Sequence, residues 1–284
     1  MYWNAGRFSL SEGGSKVPGN RTFPFNLIIL SVTNTNKWKK LYTMAELGRY
    51  KSKPEKKYLK QKKIILNKLS SKFINNNPFL FASRQLVTEI VTRIKIFEKI
   101  LDVQGDIVEC GTFQGNNLML FAHLSSIFEP YSFNRKIYGF DTFEGFKSIS
   151  KYDPKDINEN TFSNANLNIL KKAINLFDLN RSVGHINKIN IIKGDATKTI
   201  PNFYKKNKNL LISLLYIDFD IFEPTKTALD VFASSVVKGG IIVFDQINYD
   251  KFRGESLAFK NYFKSNKYKL KKFNHDPFIG YIIM

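Results

Sequence analysis

Leu214-Leu-Tyr-Ile217 is an unbroken apolar run that gives way at once to Asp218-Phe-Asp220. Runs of this length suit a strand buried on both faces, as in a parallel sheet. Short apolar or alternating stretches recur along the chain and predict strands at 106–110, 136–140, 190–194, 212–217, 240–245, 269–273 and 280–283. Between them, apolar positions at helical spacing predict helices over 117–128, 167–176, 226–233 and 254–263. Five strands separated by helices, then a close-set pair, predict an α/β fold. Its sheet is seven-stranded and mostly parallel, with helices on both faces and a hairpin at the end.

Upstream of residue 106 the pattern is different. Residues 1–36 contain Gly13-Gly14, Gly19-Asn20 and Asn34-Thr-Asn36 with little periodicity, and read as an irregular arm. Residues 37–69 read as helical in pieces, interrupted at Asn75-Asn-Asn-Pro78. Ser83 then opens a helix to about Leu101. Its stripe of Leu86, Ile90, Ile94, Phe97 and Leu101 is expected to pack into the core. Three regions follow: an arm over 1–36, a basic helical extension or lid over 37–105, and an α/β domain over 106–284.

Charge and cysteine content narrow the partners. Of the net charge of +20, residues 1–105 carry +14 (20 Lys/Arg against 6 Asp/Glu) and the remainder +6 (24 against 18). Such an excess attracts nucleic acid or anionic lipid, but Tyr50 and Tyr58 are the only aromatics in its densest run, too few for a base-stacking platform. Lysine-coated exposed helices are the simpler reading, and nucleic acid is disfavoured. The single cysteine, Cys110, excludes a disulfide framework and a cysteine zinc site. His123, His185 and His275 show no zinc-type spacing. No apolar run reaches membrane-spanning length and no secretory pattern opens the chain, so a cytoplasmic protein is expected.

The candidate chemistry lies at the carboxyl ends of the strands, where open α/β sheets place their ligands. Glu109-Cys-Gly-Thr-Phe-Gln-Gly115 joins the first strand to a helix, and Gly111 and Gly115 permit a tight turn and close cofactor approach. Glu109 is placed to meet a ligand ammonium group, and Asn116 or Asn117 to cap the helix. Asp141, ending the second strand, reads equally as a grip on ribose hydroxyls or a helix cap. Asp195, ending the third, reads as a contact to an adenine amine or a turn residue. Asp218 and Asp220 share one side of their segment, and Asp245 from the neighbouring strand projects into the same crevice. Three carboxylates there repel one another unless a proton or a cation joins them, and oxygen donors favour Mg²⁺ or another hard divalent ion.

Val108-Glu-Cys-Gly-Thr-Phe-Gln-Gly115, Gly139-Phe-Asp-Thr-Phe-Glu-Gly145, Tyr216-Ile-Asp-Phe-Asp-Ile-Phe-Glu-Pro-Thr225 and residues 239–246 together resemble the ordered motifs of the macrocin-type sugar O-methyltransferases. The resemblance spans roughly residues 80–265. It implies the class I methyltransferase fold, which is Rossmann-like, with S-adenosylmethionine and Mg²⁺ as cofactors and a sugar or sugar nucleotide as methyl acceptor. It further implies Asp218, Asp245 and Gln246 as metal ligands and Asp220 as general base. Glu109, Gly111, Gly115, Asp141 and Asp195 are then the cofactor-binding set. Gln246 stands where the family usually has a second Asp, and Phe146-Lys147 where it usually has Leu-Pro. The first 36 residues match no part of the family pattern, and the following helices are implied as a lid or a subunit contact, which leaves a homo-oligomer open. A catechol-type phenolic O-methyltransferase, an RNA methyltransferase and a non-catalytic S-adenosylmethionine-binding domain are the alternatives kept beside this reading.

Overall fold

The computed structural model describes residues 53–264 and 267–284; the arm expected over 1–36 and the first part of the helical stretch lie outside the described residues. Three helices come first: α1 (Lys53–Leu66), α2 (Ser71–Asn76) and α3 (Arg84–Glu98). The last two begin at serine caps. The Ser70 and Ser83 hydroxyls accept from the Phe73 and Leu86 amides at 3.2 and 3.1 Å, satisfying donors that a helix start leaves unpaired.

The alternation then runs β1 (Asp106–Cys110), α4 (Asn116–Phe128), β2 (Ile137–Asp141), α5 (Leu167–Leu179), β3 (Ile189–Lys193), α6 (Ala196–Lys206), β4 (Ile212–Ile217), α7 (Phe222–Phe232) and β5 (Val236–Phe244). It closes with α8 (Gly254–Phe263), β6 (Lys271–Phe273) and β7 (Asp276–Ile283). The seven strands form one sheet in the order β3-β2-β1-β4-β5-β7-β6. β1 to β5 are parallel, β7 runs antiparallel to β5, and β6 antiparallel to β7. This is the class I methyltransferase plan expected from the sequence. The strand order reverses between β1 and β4, which makes the switch point where such sheets bind ligands.

Each face of the sheet carries its own core. Ile107, Leu214, Tyr216, Ile241 and Val243 pack under α3, α4 and α5; Val108, Cys110, Leu215, Ile217, Ile242 and Phe244 pack under α6, α7 and α8. All six residues of β4 are buried, as its apolar run implies. α7 starts at Phe222 rather than near Lys226, with Pro224 inside its first turn, where a missing N–H costs nothing. The stripe on α3 is only partly core. Phe97 is fully buried, but Leu86 and Leu101 are 45% and 37% exposed. The buried face instead runs through Thr92, Arg93, Ile96, Phe97 and Ile100, and so carries a polar pair into the protein.

Candidate active site

Gly111 makes the switch point tight. Its φ is +98°, and a Cβ there would lie 1.9 Å from the Asp218 carbonyl oxygen, so the turns after β1 and β4 approach too closely for any side chain. Beyond them opens a cleft of ≈ 270 Å³. Of the residues expected at the site, Gly111, Asp141, Asp195, Asp218, Asp220, Asp245 and Gln246 line it.

Glu109 and Gly115 lie outside that lining. Gly115 forms the left-handed N-cap of α4, and neither Asn116 nor Asn117 caps the helix. Asn117 instead donates to Glu109 Oε1 at 2.7 Å, while Glu109 Oε2 is buried without a partner. Complete burial raises the Glu109 carboxyl to about 8. Asp141 Oδ2 and Oδ1 accept from the Phe113 and Phe143 amides at 2.7 and 2.6 Å. Burial nonetheless raises its pKa above the ordinary carboxylate value. Asp195 caps α6, accepting from the amide and hydroxyl of Thr197, and takes the Ser148 hydroxyl at 2.9 Å on its other oxygen.

Asp220 has an unusual backbone. The Ile221 amide reaches back to the Phe219 carbonyl at 2.7 Å, closing a γ-turn with Asp220 at its apex and φ at +63°. Non-glycine residues hold such angles only where surrounding structure enforces them, and these positions cluster at functional sites. Asp220 is 6% exposed, and its Oδ1 has no hydrogen-bond partner. Asp218, beside it, has its pKa raised by burial and then by Asp245, Asp220 and Glu255. Burial, with Asp245 next, raises Asp220 likewise.

Asp245 is differently placed. Its Oδ1 accepts from Arg93 Nη2 at 2.9 Å and from the Tyr216 hydroxyl. Arg93 also donates through Nε to Asn117 Oδ1 at 2.9 Å, and its guanidinium lies 5.4 Å from the Tyr216 ring. Burial opposes the Arg93 charge, but Tyr216, Asp245 and Asp218 outweigh it. A line of hydrogen bonds thus runs from Glu109 through Asn117 and Arg93 to Asp245.

Two contributions escape the sequence reading. Glu255, in the first turn of α8, is fully buried, and donor oxygens of Asp218, Asp220 and Glu255 all lie within 4.8 Å of one another. The aromatic wall of the cleft is the other: Phe162 packs edge-on against Phe113 and Phe146, each at 5.5 Å between centroids. Neither could be read from spacing, because Glu255 and Phe162 lie outside the strand-end motifs.

The donors here are all oxygens, and two of them, Asp220 Oδ1 and Gln246 Oε1, are buried and unpartnered. That set fits a hard divalent cation, which takes oxygen ligands and offsets clustered carboxylate charge. Among the described helices none is long and apolar enough to cross a membrane.

Comparison with known proteins is consistent with this geometry. Residues 86–274 match the macrocin-O-methyltransferase (TylF) family. The crystal structure of CalS11, a calicheamicin methyltransferase, is 28% identical over 82% of this chain and 93% of that one, with a TM-score of 0.75. An apo structure of CalS11, described as a TDP-rhamnose 3′-O-methyltransferase of calicheamicin biosynthesis, gives 26% identity over 82% and 95%, with a TM-score of 0.70. The O-methyltransferase NovP shares the fold at 15% identity over 69% and 79%, with a TM-score of 0.55. Comparison with curated proteins gives no match. The chain belongs to the macrocin-O-methyltransferase (TylF) family and is an S-adenosylmethionine-dependent O-methyltransferase.

Proposed function

We propose that this chain methylates a hydroxyl of a sugar or sugar nucleotide, with Asp220 as general base and a hard divalent cation at the strand ends. The observation that carries the reading is the convergence of Asp218, Asp220 and Asp245 in one cleft of a macrocin-family chain. The similarity to CalS11, described as acting on TDP-rhamnose, supports a sugar nucleotide as acceptor.

Asp141 and Asp195 are assigned to the nucleoside of the cofactor, Gly111 to its close approach, Gly115 to the turn that allows it, and Glu109 to its ammonium group. Asp218, with Asp245 and Gln246, is assigned to the cation. Asp220 takes the acceptor hydroxyl's proton at Oδ1, the oxygen that lacks a partner. Phe113, Phe146 and Phe162 exclude water from one side of the cleft, which strengthens the electrostatics inside it. When bound, the sulfonium supplies an electrophilic methyl group and the cation supplies positive charge that favours the deprotonated acceptor. Orientation accounts for much of the remaining acceleration.

The test is to incubate the purified chain with S-adenosylmethionine and a panel of TDP-deoxysugars and catechols, with Mg²⁺ or with EDTA. Methylation of the sugars that EDTA suppresses is the expected result. Transfer to catechols alone, or undiminished transfer in EDTA, overturns the reading.

A further inference from the structure

The cleft is lined mostly by one sign of charge. Asp141, Asp195, Asp218, Asp220 and Asp245 line it, and among the described residues Lys147 is the one cationic side chain that does so. An acceptor bearing phosphates meets like charge over most of that lining, so its anionic part belongs where a cation stands. Lys147 is half of Phe146-Lys147, a place where the chain departs from the family pattern. It pairs with Glu159 at 3.9 Å, but the two side chains are 39% and 75% exposed, and a pair so long and so wet holds the ammonium only weakly.

The segment that carries Lys147 crosses the cleft. Ser148 donates to Asp195 at 2.9 Å, and Asp153 accepts at 2.8 Å from the Phe222 amide, at the start of α7 and close to Asp220. Arg253 Nε donates to the Tyr152 carbonyl at 3.1 Å, which ties this segment to the β5–α8 connection and its Lys251. A row of rings joins the two lysines as well. Phe162 is exposed, and its centroid lies 5.5 Å from that of Phe146 and 6.2 Å from that of Phe252. The Lys251 ammonium lies 5.3 Å from the Phe252 ring. Burial and then Asp245 raise the Asp220 pKa while Lys251 opposes them, so the Lys251 charge is felt at the proposed base.

We infer that Lys147 and Lys251, on either side of Phe162, form a phosphate-binding subsite that holds the diphosphate of a nucleoside-diphosphate sugar while the sugar hydroxyl faces Asp220. The inference rests on the acceptor reading proposed above and narrows it to a sugar that still carries its nucleoside diphosphate. Two ammonium groups match the charge of a diphosphate diester, and lysine meets phosphate as a point charge that needs no fixed geometry.

Thymidine diphosphate is the probe, titrated by calorimetry into the chain loaded with adenosylhomocysteine, with thymidine titrated beside it. The diphosphate is expected to bind more tightly than thymidine. Lys147→Met and Lys251→Met should each weaken it at least about tenfold at an unchanged melting temperature, and Lys147→Arg, which keeps the charge, should retain most of the affinity. Thymidine diphosphate bound as tightly by both methionine variants as by the unaltered chain, or no more tightly than thymidine, overturns the inference and leaves a sugar acceptor standing. Methylation of none of the sugars in the panel above overturns the acceptor reading and this inference with it.

Discussion

Asp220 and Glu109 are both buried acids, yet their surroundings suit them to different tasks. Asp220 lines the cleft from a strained turn and has one oxygen buried and unpartnered. Replacing it with Asn keeps the shape and removes the proton acceptor. Single-turnover methyl transfer is expected to fall by about 10²–10⁴-fold, with adenosylhomocysteine affinity nearly unchanged. Wild-type turnover in that variant contradicts the assignment. Glu109, raised to about 8, holds its proton at neutral pH in the unliganded protein. A ligand ammonium favours the carboxylate, so adenosylhomocysteine binding should release close to one proton at pH 7, and affinity should climb as pH rises toward 8. Calorimetry in buffers of different ionisation enthalpy reads this directly, and Glu109→Gln should abolish it. The stability sign follows from the same shift. The folded carboxyl titrates above its unfolded value of 4.5, so its contribution is complete below 4.5 and is lost as pH rises through about 8. These acids were visible in the sequence because both stand in strand-end motifs, where open α/β sheets place their ligands. Arg93 was not, because it sits on a helix whose apolar stripe runs through other residues.

At the scale of elements, the sheet was legible and its edges were not. β5 begins at Val236 rather than Gly240, and β7 at Asp276 rather than Gly280. Gly239-Gly240 and Asp276-Pro277 look like turn chemistry, yet Val236 still pairs with Ile212 across the irregularity that holds the glycines, and Asp276 pairs with Phe273 at the hairpin. α3 misled in another way. Periodicity gives the phase of a helix, and only packing decides which side faces inward, so Arg93 and Thr92 lie buried where Leu86 does not. α8 is the element whose placement matters most to the cleft. Gly254→Ala puts a methyl group against backbone atoms of the β4–α7 turn, at a cost of about 1–3 kcal/mol by overpacking. Thermal denaturation should show that loss. An unchanged melting temperature means α8 can shift without strain, and that the close approach is not needed to place Glu255.

Across the whole molecule, the alternation beginning at residue 106 invites a cut there, but the core does not observe it. Ile96, Phe97 and Ile100 are fully buried in the same cluster as Ile107 and Leu214. A chain trimmed to 106–284 is expected to be poorly folded, and one beginning at residue 53 to melt cooperatively. Circular dichroism on both distinguishes them, and a cooperative transition in the shorter chain contradicts the expectation. The site reaches across that same boundary, because Arg93 touches Asn117 on one side and Asp245 on the other. A side chain that answers to both neighbours makes their occupancies cooperative. Once the ammonium has drawn the proton from Glu109, that carboxylate competes for the donors of Asn117 and Arg93, and Asp245 is held less firmly. Mn²⁺ should therefore tighten adenosylhomocysteine binding, and by thermodynamic reciprocity the ligand should tighten Mn²⁺ by the same factor. Equal factors in the two titrations, both lost in Arg93→Met, would mark the guanidinium as the relay, and independent affinities would show that the two halves of the pocket fill without regard to each other.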